Sequence, residues 1–171
     1  MSTRSPVHDR LHDAAHSLRR AATTRTPVPA VRTTLGSADI RAAYDVQRHN
    51  IQRLVAAGDT IVGRKIGLTS AAVQQQLGVT EPDFGTLLGS MRVPNHSTVA
   101  CTKLLQPKIE AEVAFEIAEP ITRVPNDPEG LVPLIRCARP ALEIVDSRIE
   151  RWDIAIVDTI ADNASSDDRD G

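Results

Sequence analysis

The stretch QPKIEAEVAFEI, from Gln106 to Ile117, alternates polar and apolar side chains with a period of two from Lys108 onward. That period is the signature of an extended strand, because successive side chains leave opposite faces of the backbone. Lys108, Glu110, Glu112, Ala114 and Glu116 therefore share one face, and Ile109, Ala111, Val113, Phe115 and Ile117 share the other. A helix would scatter both sets around its axis. Whatever else this chain forms, it contains a sheet with one acidic face and one apolar face.

The acidic face admits two readings. It can be the solvated side of a half-buried strand, or Glu110 and Glu112 can converge on a divalent cation, for which hard oxygen ligands select Mg²⁺ or Mn²⁺ over zinc. Two carboxylates rarely suffice, and Glu143 in ALEIVDS, an acid within a short apolar strand, is the candidate third. The alternative is that Glu143 or Asp146 merely faces water.

Upstream, Leu11, Ala14, Ala15, Leu18 and Ala21 recur at helical spacing and predict an amphipathic helix over 6–23, stopped before Pro27 and Pro29. A second helix is predicted from an N-cap at Ser37 to about Ala57. IVGRKIGL then reads as a strand, SAAVQQQLG as a short helix closed by Gly78, and TEPDFGTLLGS as a loop rich in turn formers. Further strands are expected at 97–101, 108–118 and 140–146, a helix across 128–136, and a charged tail over 166–171. Residues 152–163 carry no clear pattern. Helices first and strands later predict an α+β chain. The expected division is a helical region, 1–60, a catalytic region, 61–165, and the tail.

Composition narrows the function. A net charge of -2 over 171 residues gives no field to recruit nucleic acid or an anionic membrane. With only Tyr44, Phe84, Phe115 and Trp152 as rings, base-stacking platforms are implausible. No apolar run has the length of a membrane span, the first residues lack the apolar core of a signal peptide, and Cys101 and Cys137 form no paired framework. A cytoplasmic chain with free thiols is the expectation. Other features have two readings each. Lys65, beside Arg64 in an apolar strand, either points outward or lends its charge to a site. Asp83 either caps a turn or offers a carboxylate from a loop. His8, His12 and His16 fall on one side of the first helix, and read as a solvated face or as an HxxxH metal pair.

Four segments, GRKIGLTSAAVQQQLGVTEPDFGTLLGSM, LLQPKIEAEVAFEI, PALEIVDSRI and VDTIADNAS, occur in an order and spacing that resemble the 2-keto-4-pentenoate hydratase family. That family also holds 2-oxo-acid decarboxylases and belongs to the fumarylacetoacetate hydrolase superfamily. The resemblance covers about residues 25–165. It implies a mixed sheet or sandwich of the fumarylacetoacetase C-terminal-like type following the N-terminal helices. It also implies metal ligands at Glu110, Glu112 and Glu143, with Lys65 and Asp83 lining the same pocket. The implied cofactor is Mg²⁺ or Mn²⁺, and the implied activity is that of a hydro-lyase adding water to a 2-hydroxy-2,4-dienoate. The implied alternatives are a 2-oxo-dioate decarboxylase or an inactive paralogue serving assembly. The expected partners are a small 2-oxo or 2-hydroxy acid, further copies of the chain, and a related decarboxylase or hydratase. Chains of the family continue past ADNAS, so a sheet incomplete at the C-terminus is expected.

Overall fold

A computed structural model describes residues 6–166. The chain divides into two compact units, Met1–Pro107 with Val145–Gly171, and Lys108–Ile144. The α+β expectation holds. Among the described residues the strands form two separate two-stranded sheets.

The first unit is built on helices α1 (Pro6–Thr24), α2 (Arg32–Leu35) and α3 (Ile40–Ala56), with α5 (Ile156–Ala161) returning late in the chain. Ala14, Ala15 and Ala21 of α1 and Ala42 and Ala43 of α3 are buried. Such small side chains let helix backbones approach closely, and Leu18, Val46, Val157 and Ile160 fill the space between them. Helix α3 begins at Asp39 rather than at Ser37, because the Asp39 carboxylate accepts the Ala42 amide at 2.9 Å. Between Pro27 and Pro29, Val28 keeps the one available amide. Its N–H donates to the Arg148 carbonyl and the Val28 carbonyl accepts from the Glu150 amide, both at 2.9 Å, forming a parallel bridge.

Strands β1 (Ile61–Gly67) and β2 (Asp83–Leu88) make an antiparallel pair, with α4 (Ala71–Leu77) between them. Helix α4 starts at the Ser70 cap and ends at Gly78, which takes the left-handed conformation with φ 66. The segment expected to be a loop at 80–90 is largely strand β2. Its glycine was read as a turn former but sits opposite Lys65, where only a residue without a side chain fits. The expected strand at 97–101 is absent. Pro94 and a left-handed His96 (φ 64) break the extended path, and a 3-10 turn occupies Cys101–Lys103.

In the second unit β3 (Pro107–Ile117) pairs with β4 (Ile135–Asp146), which begins five residues earlier than expected. The Ala118 amide donates to the Leu134 carbonyl at 2.8 Å and Arg136 meets Glu116, so the strands run antiparallel. The expected helix at 128–136 is a 3-10 segment, Glu129–Leu134, containing Pro133. The apolar face of β3 stays exposed, Ile109 at 70% and Phe115 at 58%.

Two polar clusters lie within the first unit itself. Asp146 accepts the Leu105 and Gln106 amides at 2.8 and 2.6 Å, and the Gln106 side chain donates to the Ser147 and Ile149 carbonyls. Arg148 and Asp162 form a buried ion pair with Nε to Oδ1 at 2.7 Å, and the Arg148 amide adds a bond of 2.9 Å. Ser166, expected to open the tail, is buried and bridges Val145. The remainder of that tail, 167–171, lies outside the described residues.

Candidate active site

Extended geometry sends Glu110 and Glu112 from the same face of β3, and the hairpin returns Glu143 on β4 beside them. One carboxylate oxygen from each lies within 4.8 Å of the other two. Glu110 and Glu112 are exposed and Glu143 is half-buried. Three carboxylates this close repel one another unless protons or a cation neutralise them. The donor set is oxygen only, which fits a hard divalent cation and not a thiophilic one. Glu116, further along β3, is engaged elsewhere. It accepts from Arg136 at 2.7 Å, from the Cys137 thiol at 3.5 Å and from Arg139 at 3.4 Å, and these bonds hold its carboxyl below the usual range.

Lys65 and Asp83 belong to the other unit, on neighbouring strands. Lys65 is opposite Gly85 and Asp83 opposite Gly67, so both side chains leave one face of the sheet as diagonal neighbours. The Lys65 stem crosses Gly85: a side chain there would meet Lys65 Cγ at 2.7 Å and the Asn163 carbonyl at 2.8 Å. Lys65 Nζ donates to the Ala164 carbonyl at 2.8 Å, which fixes the direction of the ammonium. Asp83 is 1% exposed, and its carboxylate fills the space that a side chain on Gly67 would need. Arg64 is exposed on the opposite face.

The residues that position this pair escaped the sequence reading. Asn163 clamps β2 with two bonds, its Oδ1 accepting the Thr86 amide at 2.7 Å and its Nδ2 donating to the Thr86 carbonyl at 2.9 Å. Asn163, Ala164 and Ser165 run through the left-handed region with φ near 55, a conformation unfavourable for Ala and Ser, and this turn presents the Ala164 carbonyl to Lys65. Gln47 of α3 ties the Phe84 carbonyl, at 2.8 Å, to the Ile160 carbonyl, at 2.9 Å. The available signal was the polar DNAS directly after an apolar helical stretch.

Elsewhere, His8 and His12 come together, with His49 of α3 against His12, whereas His16 is exposed. Partial desolvation, then the neighbouring His12 and the cations Arg19 and Arg53, hold the imidazole of the exposed His49 below its ordinary pKa. Cys101 is an exposed free thiol and Cys137 a half-buried one.

No family model matches the chain. Curated relatives do. It is 48% identical over 155 residues to 2-keto-4-pentenoate hydratase 2 of Dechloromonas aromatica, an alignment covering 90% of this chain and 59% of that protein. It is likewise 48% identical over 153 residues to the TodF product hydratase of Pseudomonas putida, covering 90% and 57%. The chain is a homologue of the 2-keto-4-pentenoate hydratases. It spans about three fifths of the length of these relatives. The kinship read from the four ordered motifs is thereby borne out. Among solved structures, the 4-oxalocrotonate decarboxylase from Pseudomonas putida G7, complexed with magnesium and adipate, superposes with a TM-score of 0.87 at 32% identity, covering 97% of this chain and 62% of that one.

Proposed function

We propose that this chain carries the metal-dependent hydratase chemistry of its relatives: addition of water to a 2-hydroxy-2,4-dienoate to give a 4-hydroxy-2-oxo acid. The observation that carries this reading is the convergence of Glu110, Glu112 and Glu143. These three are the residues that would hold Mg²⁺ or Mn²⁺. A cation bound there would supply Lewis-acid polarisation of the substrate's carboxylate and 2-oxygen. Magnesium in the decarboxylase structure supports the choice of a hard cation.

The reaction requires proton transfers at separate atoms. Ketonisation removes the 2-hydroxyl proton and places one at the far end of the diene; conjugate addition then delivers hydroxyl to carbon 4 and a proton to carbon 3. We assign these transfers to Lys65 and Asp83, since one group must give and another take. The Ala164 carbonyl orients the lysine. Asp83, 1% exposed, is held out of bulk water on the same face as the lysine.

The finer fold assignment, a fumarylacetoacetase C-terminal-like sheet within a catalytic region from residue 61, belongs to the same proposal. So does a cytoplasmic setting, which two free thiols fit; among the described residues no helix is long and apolar enough to cross a membrane. Homo-oligomers, or association with a related decarboxylase or hydratase, are supported by the exposed Ile109, Val113, Phe115 and Leu142. The similarity to 4-oxalocrotonate decarboxylase supports a second reading, decarboxylation of a 2-oxo-dioate by the same residues.

Following 2-hydroxypentadienoate by its ultraviolet absorbance with Mg²⁺ added, beside carbon dioxide release from a 2-oxo-dioate, separates these readings. Dienoate consumption that is lost in Glu143→Gln and reduced in Asp83→Asn is the expected result. Turnover indifferent to Glu143, or carbon dioxide release without hydration, would overturn the hydratase reading.

A further inference from the structure

We propose that His8 and His12 of α1, with His49 of α3, form a second metal site, selective for a borderline transition cation such as Zn²⁺ or Ni²⁺. The four-residue spacing places His8 and His12 one turn apart on the same face of α1. Their Nε2 atoms stand 3.0 Å apart. Two imidazoles on one tetrahedral zinc, with bonds of roughly 2.0–2.1 Å, have donor nitrogens about 3.3 Å apart. The pair therefore needs to open by only a few tenths of an ångström to chelate. Without a cation, the two nitrogens share one proton, one ring donating and the other accepting.

The third imidazole is what distinguishes this cluster from a solvated HxxxH face. His49 projects from α3, a separate helix packed on α1, and its ring lies edge-on to His12 with centroids 4.9 Å apart and planes at 76°. Its side chain is exposed, and chelation requires its ring to turn so that a nitrogen faces the pair. The cations acting on it are Arg19 and Arg53, and the Arg19 guanidinium is engaged by Asn50 Oδ1 at 2.6 Å. An all-imidazole donor set suits Zn²⁺, Ni²⁺ or Cu²⁺ and disfavours Mg²⁺, the reverse of the carboxylate cluster. The two sites should thus be loaded by different metals.

The test is calorimetric titration of the whole chain with Zn²⁺, with Mg²⁺ in excess to occupy the carboxylates. His8→Ala, His12→Ala, His49→Ala and Glu112→Gln are run alongside. One Zn²⁺ is expected to bind, about tenfold or more weakly in each histidine variant, and unchanged in Glu112→Gln. Wild-type affinity in any of the three histidine variants, or loss of binding in Glu112→Gln, would overturn the site. Should His12→Ala disturb the helix, the ring-proton resonances of His8 and His49 decide the matter in the unaltered chain. Both must move on adding Zn²⁺; a spectrum in which either stays fixed rejects the proposal.

Discussion

Three buried aspartates of the first unit and three clustered glutamates of the hairpin stand in opposite surroundings. In the first, Asp146, Asp158 and Asp162 are at most 2% exposed, and each accepts bonds from backbone amides or an arginine, as Asp158 does from the Arg32 and Ala155 amides at 2.8 and 2.9 Å. In the hairpin of residues 108–144, Glu110 and Glu112 stand in solvent and crowd against Glu143. A buried acid bonded on every side stabilises a fold and is spent in doing so. Acids gathered at a surface do little for the fold, and their mutual repulsion is relieved by the cation they could bind.

If this contrast is right, substitutions in the two units separate into two classes. Asp162→Ala leaves Arg148 charged and buried, and should cost about 3–5 kcal/mol of stability in urea unfolding; a loss below about 1 kcal/mol would remove the distinction. Leu18→Ala, which empties part of the α1–α3 packing, should cost roughly 2–5 kcal/mol by the same assay. Glu112→Gln should leave the unfolding midpoint unchanged or raised. Its effect appears instead as a fall in Mg²⁺ affinity of at least the roughly 10–100-fold that losing a supporting residue costs other metal sites. Phe115→Ser, on the exposed apolar face, should shift stability by no more than about 0.5 kcal/mol.

The smallest expected effect concerns Asp59. The Ser90 hydroxyl at 2.5 Å, helped by the Thr60 amide, holds its carboxyl below the ordinary value. A depressed folded-state pKa stabilises above the ordinary value, and that contribution disappears as pH falls through the folded value. Ser90→Ala should raise the carboxyl toward its ordinary range in an NMR titration and flatten the acid limb of the stability profile.

What could be read in the sequence was whatever local periodicity determines. The alternation of 108–117 set β3 and put Glu110 and Glu112 on one face, and the alanine-rich spacing set α1. What stayed hidden depended on neighbours distant in sequence. Gly85 and Asp83 have the composition of a turn, and only the stem of Lys65 crossing that position explains a glycine inside β2. Asn163 acts as a stand-in strand partner for Thr86, 77 residues away. His49 meets His12 because α3 packs on α1, which no spacing along the chain announces. Glu143 joined its partners through a hairpin whose second strand starts at Ile135, five residues before the expected start, with Pro140 tolerated within β4.

The central claim is that three glutamates of one hairpin hold a divalent cation. Calorimetric titration of the chain with Mn²⁺, beside Glu110→Gln, tests it most directly. Saturable one-to-one binding that competes with Mg²⁺ and is lost in the variant is the predicted result; equal binding in both proteins, or none in either, would contradict it.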